Sequence, residues 1–563
     1  MIQAGETSGV SRFKLEVILA AAALCLSAQS LLAVSCPVVK HAPPTDADKA
    51  MVAADYDKAA EQYKAVLAKT PGDTDATVGL VHALLRQQLV PEADDAVKTA
   101  LAAAPKSAAF ITLRGEVELR QGQPWLVEPT VVESYKLDPC NPRTRLLFAR
   151  MLEATSRYAT AVQQIVLAHQ FDPDDPEIRL MWLRTLPLPL RIKELDAYLS
   201  APSGDDKETI GQLHAELDRL KQRAEEPEKA CHLASATATA EVPFVRLAGW
   251  NGHPRAYGLE IGLNGNATRL QIDTRGAGLS VYRAAADRAG LKRIGGAGGE
   301  KGSYIAYADS IRVGSFEFKD CAVSVIDSAS PFDDGDGNIG MDILSDFMIT
   351  LDIPMRKLTL GPLPARPAET TAPMPRLHTI AGDVDDLEAA TESARPATPA
   401  PGAAAAPTAP VASGPFDRFI APDMKDYTQF YHVGHDLILP AALNGDKVKL
   451  FIADASTDVT NISASAALDV AKVHEDKTME HPGPGGRTEK IFVADEITFN
   501  FAHVSQKLNG VVSFNTSSAS KAAGMEIAGF LGMNTLDLLT IHIDYRNGLL
   551  KAEYVPGRGY KFE

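Results

Sequence analysis

Apolar and small residues recur at a helical period from about residue 46 to residue 232, and at alternate positions from about residue 242 onward. The first pattern predicts helices with one buried face, the second half-buried strands. Alternation is clear in Tyr257-Gly258-Leu259-Glu260-Ile261-Gly262-Leu263 and in Ile311-Arg312-Val313-Gly314-Ser315-Phe316-Glu317-Phe318. Residues 363–422 interrupt the strand pattern. They are rich in Pro, Ala and Thr, cannot bury enough apolar surface to fold, and read as an extended linker.

The helical half repeats itself. Prolines fall at 71, 105, 139 and 173, each 34 residues after the last. Ala59, Ala93 and Ala161 lie twelve positions before their prolines, and Ala100, Ser134 and Ala168 lie five before. Small side chains there let paired helices approach closely, and each proline ends the second helix of a pair. This period and closing proline resemble the tetratricopeptide repeat, which implies a helical solenoid over residues 46–232 offering a concave surface to a protein partner. Lys207 to Ala224 reads as its terminal capping helix.

The strand-rich half is duplicated, as residues 242–362 and 423–558. Each copy has an aspartate closing an apolar strand, Leu270-Gln271-Ile272-Asp273-Thr274 and Leu450-Phe451-Ile452-Ala453-Asp454. Each ends on a similar run, Asn338-Ile339-Gly340-Met341-Asp342 and Gly529-Phe530-Leu531-Gly532-Met533, followed by Ile349-Thr350-Leu351-Asp352 and Ile541-His542-Ile543-Asp544. These segments resemble retropepsin-like aspartic proteases. The resemblance, with the repeats, implies a multi-domain chain: an all-α solenoid followed by two mostly-β acid-protease-like barrel lobes. It also implies a dyad, Asp273 and Asp454, with Thr274 bonding across to the other lobe. The linker is long enough for both lobes to meet within one chain. Two carboxylates about 3 Å apart share one proton; the ionised one activates water and the protonated one polarises the scissile carbonyl. No cofactor or metal is required. Glycine-rich hairpins, with Gly296, Gly298 and Gly299 in one copy and Gly485 and Gly486 in the other, are the expected substrate-covering flaps.

The active turn departs from Asp-Thr/Ser-Gly. Arg275 stands where the first turn needs glycine; reading Arg275 as an insertion would recover Gly276-Ala277, but the flanking Gly278-Leu279-Ser280-Val281 fits the ungapped frame better. Ala455 and Ser456 stand where the second turn needs a hydroxyl and glycine. A cation beside Asp273 opposes proton sharing. Two readings follow: an aspartic endopeptidase acting on protein or peptide, and a catalytically degenerate lobe pair that binds an extended peptide.

Charge and composition add exclusions. A net charge of −16 without a basic run argues against nucleic acid. No Gly-x-Ser-x-Gly or His-Glu-x-x-His occurs. Asp333-Asp334-Gly335-Asp336-Gly337-Asn338 lacks the EF-hand order and reads as an exposed turn. Arg12 and Lys14 precede an apolar run, Val17 to Ala28, and Ala33-Val34-Ser35-Cys36. Residues 1–35 therefore read as a signal peptide, giving a periplasmic or extracellular protein. Cys36 offers a lipid attachment point and hence a membrane tether. Of the remaining cysteines, Cys231 and Cys321 could pair in an oxidising compartment, but buried thiols are the expectation for Cys140, Cys231 and Cys321.

Overall fold

The computed structural model describes residues 36–225, 231–248, 254–276, 278–294, 303–327, 334–366, 377, 417–445, 447–482 and 488–556. The signal-peptide reading, the five flap glycines and most of the linker lie outside them.

The helical region runs α1 (Asp46–Val52), α2 (Tyr56–Lys69), α3 (Thr74–Arg86), α4 (Val90–Ala103), α5 (Ala108–Arg120), α6 (Pro124–Leu137), α7 (Pro142–Ala154), α8 (Tyr158–Phe171), α9 (Pro176–Leu183), α10 (Leu188–Leu199) and α11 (Lys207–Glu225). The 34-residue period has a structural partner. Asp73, Ser107, Asn141 and Asp175 each stand two residues after a repeat proline and cap the next helix. Their side chains accept backbone N–H groups that the first helical turn leaves unpaired. Ala59, Ala93, Ser134, Ala161 and Ala168 are fully buried at helix contacts.

The N-terminal segment lies along the last repeats. Val39 N–H donates to Phe171 O, and His41 Nε2 sits 2.8 Å from Asp172 Oδ1. That route brings Cys36 to Cys140, and the two form a disulfide. Likewise His232 and Leu233 pair with Lys319 and Phe318, which sets Cys231 beside Cys321, and these also form a disulfide. Both results correct the expectation of buried thiols, and the second is the pairing that an oxidising compartment allows. The Cys36 sulfur, which a lipid anchor would use, is bonded to Cys140 in this structure. Neither approach was visible as a spacing, since each bridge spans 104 or 90 residues.

The two lobes follow one path. Lobe 1 contains β1 (Ala240–Ala248), β2 (Pro254–Leu263), β3 (Asn266–Asp273), β4 (Leu279–Tyr282), β5 (Tyr304–Val313), β6 (Phe316–Ile326), β7 (Gly337–Gly340), β8 (Phe347–Asp352) and β9 (Lys357–Pro362). Lobe 2 contains β10 (Tyr431–Val433), β11 (Asp436–Leu443), β12 (Lys447–Ala453), β13 (Asn461–Ile462), β14 (Thr488–Phe501), β15 (Val504–Ser513), β16 (Gly529–Leu531), β17 (Leu539–Asp544) and β18 (Leu549–Tyr554). In lobe 1 the β2–β3 hairpin meets β7 in parallel, Ile272 opposite Ile339. In lobe 2 the β11–β12 hairpin meets β16 in parallel, Ile452 opposite Phe530. The glycines of the closing runs are required there: a Cβ on Gly340 would sit 2.4 Å from Gly276 O, and one on Gly532 2.5 Å from the Val459 carbonyl carbon.

The lobes join through their last strands. β8 pairs antiparallel with β17, Ile349 opposite Ile543 and Leu351 opposite Ile541. Because Ile349 and Leu351 correspond to Ile541 and Ile543 in the duplication, this register is isologous, the arrangement of a twofold dimer inside one chain. Thr350 and His542 sit on the pseudo-axis, with Thr350 Oγ1 2.9 Å from His542 Nδ1. The repeats also join lobe 2. Val127, Val131, Leu147, Met151 and Ala154 share one buried cluster with Ile438, Leu450, Ile452, Met525, Ile527 and Phe530. Glu526 N–H donates to Arg120 O at that seam, and Ser156 Oγ donates to Tyr545 O.

Candidate functional site

The strand ends of β3 and β12 deliver Asp273 and Asp454 to one place at the lobe boundary. The link is Thr274, which is buried: its Oγ1 donates to Ala453 O at 2.8 Å and accepts from Ala455 N–H at 2.9 Å. The two aspartate turns are therefore tied directly together. The reciprocal bond is absent because Ala455 has no hydroxyl.

The two carboxylates differ in their surroundings. Asp273 is half-buried, and its Oδ1 accepts the N–H groups of Arg275 (2.9 Å) and Gly276 (2.7 Å). A Cβ on Gly276 would meet Asp273 Oδ2 at 2.5 Å, so glycine has its structural role one position later than in the usual turn. Asp454 is buried, with Oδ1 accepting Ser456 N–H at 2.9 Å and Ser456 Oγ–H at 2.5 Å. Its Oδ2 accepts Thr457 Oγ1–H at 2.9 Å and faces Arg275 Nη1 at 3.7 Å. A carboxylate has about four lone-pair sites. Three donors fill three of those of Asp454, and the Arg275 guanidinium faces the remaining side of Oδ2.

Arg275 points away from its own aspartate. The sequence suggested a cation beside Asp273; the structure sends the side chain into lobe 2, because its partners are there. Arg275 Nε donates to Asp436 Oδ1 at 3.1 Å, and its guanidinium lies 4.9 Å from the centre of the Phe530 ring. Stacking on the ring and pairing with Asp436 hold a planar cation in one orientation. Burial raises the Asp436 carboxyl above the ordinary aspartate range, against the pull of Arg275. Asp436 and Phe530 were missed as site residues. The signal available was register: Asp436 starts the hairpin whose partner strand ends at Ala453, next to Asp454, and Phe530 lies opposite Ile452.

A second polar group flanks the first turn. Asp342 accepts Gly278 N–H and pairs with His435 Nδ1 at 3.0 Å. Nearby, burial and His435 push His432 down to about 4, and its Nδ1 lies 3.2 Å from Tyr158 Oη of α8. In the acidic run that leads into β7, Asp334 and Asp336 are half-buried and paired, not an exposed turn. Asp334 pairs with Arg269, while Asp336 pairs with Arg288 and accepts Arg269 N–H. These carboxylates fasten lobe 1, and among the described residues no cluster of three or more His, Cys, Asp or Glu could hold a metal.

Residues 259–343 match the aspartyl protease family model, and residues 50–117 match a tetratricopeptide repeat model. The chain thus joins a tetratricopeptide-repeat segment to an aspartyl-protease-type domain. Solved structures similar to the chain include an aspartic proteinase from Irpex lacteus, at 11% identity and a TM-score of 0.30 over 57% of this chain and 98% of that one. They also include TTC0263, a thermophilic tetratricopeptide-repeat protein of Thermus thermophilus, at 16% identity and a TM-score of 0.26 over 31% of this chain and 95% of that one. A third is YrrB, a tetratricopeptide-repeat protein described as having an unusual peptide-binding site, at 18% identity and a TM-score of 0.19, covering 30% of this chain and 88% of that one. No curated protein matches the chain.

Proposed function

We propose that the protein is an exported, protease-fold peptide-binding protein in which the aspartate pair no longer hydrolyses. The observation that carries this reading is the Arg275 side chain, directed from lobe 1 onto Asp436, Asp454 and Phe530 of lobe 2. A fixed cation at the dyad opposes sharing of one proton between two carboxylates, and the Ser456 hydroxyl occupies Asp454 Oδ1. The lobes retain what binding requires: a duplicated barrel pair with its aspartate turns joined at a common floor. Export is supported by the N-terminal basic and apolar segments together with the two disulfides, which persist in oxidising compartments. The repeats add a helical surface suited to a protein partner.

The competing reading, an aspartic endopeptidase with Asp273 and Asp454 as its dyad, is favoured by Thr274, which still bridges the turns. Incubation of the mature protein with unfolded casein from acidic to neutral pH separates the two. The binding reading expects intact casein, and retention of extended peptides from a random library on immobilised protein. Cleavage abolished by Asp273→Asn would establish the endopeptidase instead.

A further inference from the structure

The duplication lets each cleft-bordering position of one lobe be compared with its counterpart. In lobe 2, Phe530 lies opposite Ile452, and Ile452 lies opposite Ile438. In lobe 1, Asn338 lies opposite Gln271, and Gln271 lies opposite Gly258. Asp454 and Asp273 each follow two residues after Ile452 and Gln271, so strand alternation puts each aspartate on the same face as those residues. That face borders the site, because Phe530 stacks on Arg275.

The matching faces have opposite character and opposite fates. Ile438, Leu450, Ile452 and Phe530 are apolar and buried against α6 and α7 of the repeats. Their counterparts are Gly258, Arg269, Gln271 and Asn338, and the last two are half-buried polar side chains. Asn338 carries no side-chain hydrogen bond to any described residue, and its amide brings both donors and an acceptor.

Resting on the peptide-binding reading, we infer that lobe 1 alone reads the ligand's side chains: Gln271 and Asn338, beside Asp273, form a hydrogen-bonding wall. The ligand class is an extended peptide carrying a polar residue at the position that meets this wall. The apolar wall of lobe 2, which would select a hydrophobic residue, is consumed by the repeats.

Selection of a random peptide library on the full mature chain tests this. The wild type is expected to enrich Asn, Gln, Ser or Thr at one position, by roughly tenfold over an apolar residue, the discrimination about 1.4 kcal/mol provides. Gln271→Leu with Asn338→Leu is expected to shift that position to Leu, Ile or Phe without abolishing retention. Asn338→Asp, which changes no volume, is expected to shift it to Lys or Arg. Circular dichroism of each variant checks that the fold is kept. Peptides retained with unchanged preference in both variants, or an apolar preference in the wild type, would overturn the inference while leaving the binding reading intact. No retention by the wild type would overturn both.

Discussion

Lobe 1 and lobe 2 share a strand order, an aspartate turn, a closing glycine and a final hairpin, yet the same strand face is polar in one and apolar in the other. Conserving the path of the chain required only the inward-facing residues, such as Leu270, Ile272 and Ile339 in lobe 1 and Phe451, Ala453 and Leu531 in lobe 2. The other face was free to diverge, and in lobe 2 it became the seat of the repeats. A duplicated fold therefore preserves its geometry more readily than its chemistry.

The sharpest way to break this comparison is Phe530→Ala against Asn338→Ala. Truncating a buried aromatic costs about 3–5 kcal/mol, whereas a half-buried amide with no side-chain partner among the described residues costs about 0.5 kcal/mol or less. Denaturant unfolding of the two variants should differ by that margin. Similar losses would mean that the lobe 2 face is not the structural one.

Acid should act first at the seam between repeats and lobe 2, and then within the repeats. Burial works against the charged form of Glu116, but Arg143 and His82 hold its carboxyl down at about 2. Its folded value lies below the ordinary one of 4.5, so its contribution is complete above about pH 4.5 and is lost as pH falls through about 2. His432, depressed to about 4, makes folding less favourable as pH drops from about 6.5 towards 4, because the unfolded chain takes up the proton first. Each amounts to about 3 kcal/mol over its window. Melting as a function of pH should show His432→Gln flattening only the upper window and Glu116→Gln only the lower.

A smaller effect sharpens the junction between lobes. Thr274→Val removes the donor to Ala453 O and the acceptor for Ala455 N–H at a buried position. A loss of about 1–3 kcal/mol is expected, while Ser456→Gly, at an exposed position, should change stability by less than about 1 kcal/mol. Thermal unfolding of the pair checks it.

Much of this was legible in the sequence, and the reason is periodicity. The 34-residue spacing marks a unit whose prolines end helices and whose caps begin the next ones, and the two Gly-Met runs mark strands that must pass close to a turn. Local patterns of this kind depend on backbone geometry. The Cys36–Cys140 disulfide, the β8–β17 sheet and the partners of Arg275 were not legible, because each joins residues from 104 to 255 positions apart by the way whole units dock. Arg275 shows the limit clearly. Its identity marked the turn as unusual, but only the position of Asp436 and Phe530 shows which aspartate it faces.

The most direct test is restoration of the two turns. Arg275→Gly, Ala455→Thr and Ser456→Gly together remove the cation, supply the missing hydroxyl and free Asp454 Oδ1, while Asp273 and Asp454 stay in place. Casein cleavage at acidic pH should then appear in the triple variant, disappear again with Asp454→Asn, and be absent from the wild type. Wild-type cleavage equal to that of the restored protein would contradict the claim that Arg275 has turned a catalytic floor into a binding one.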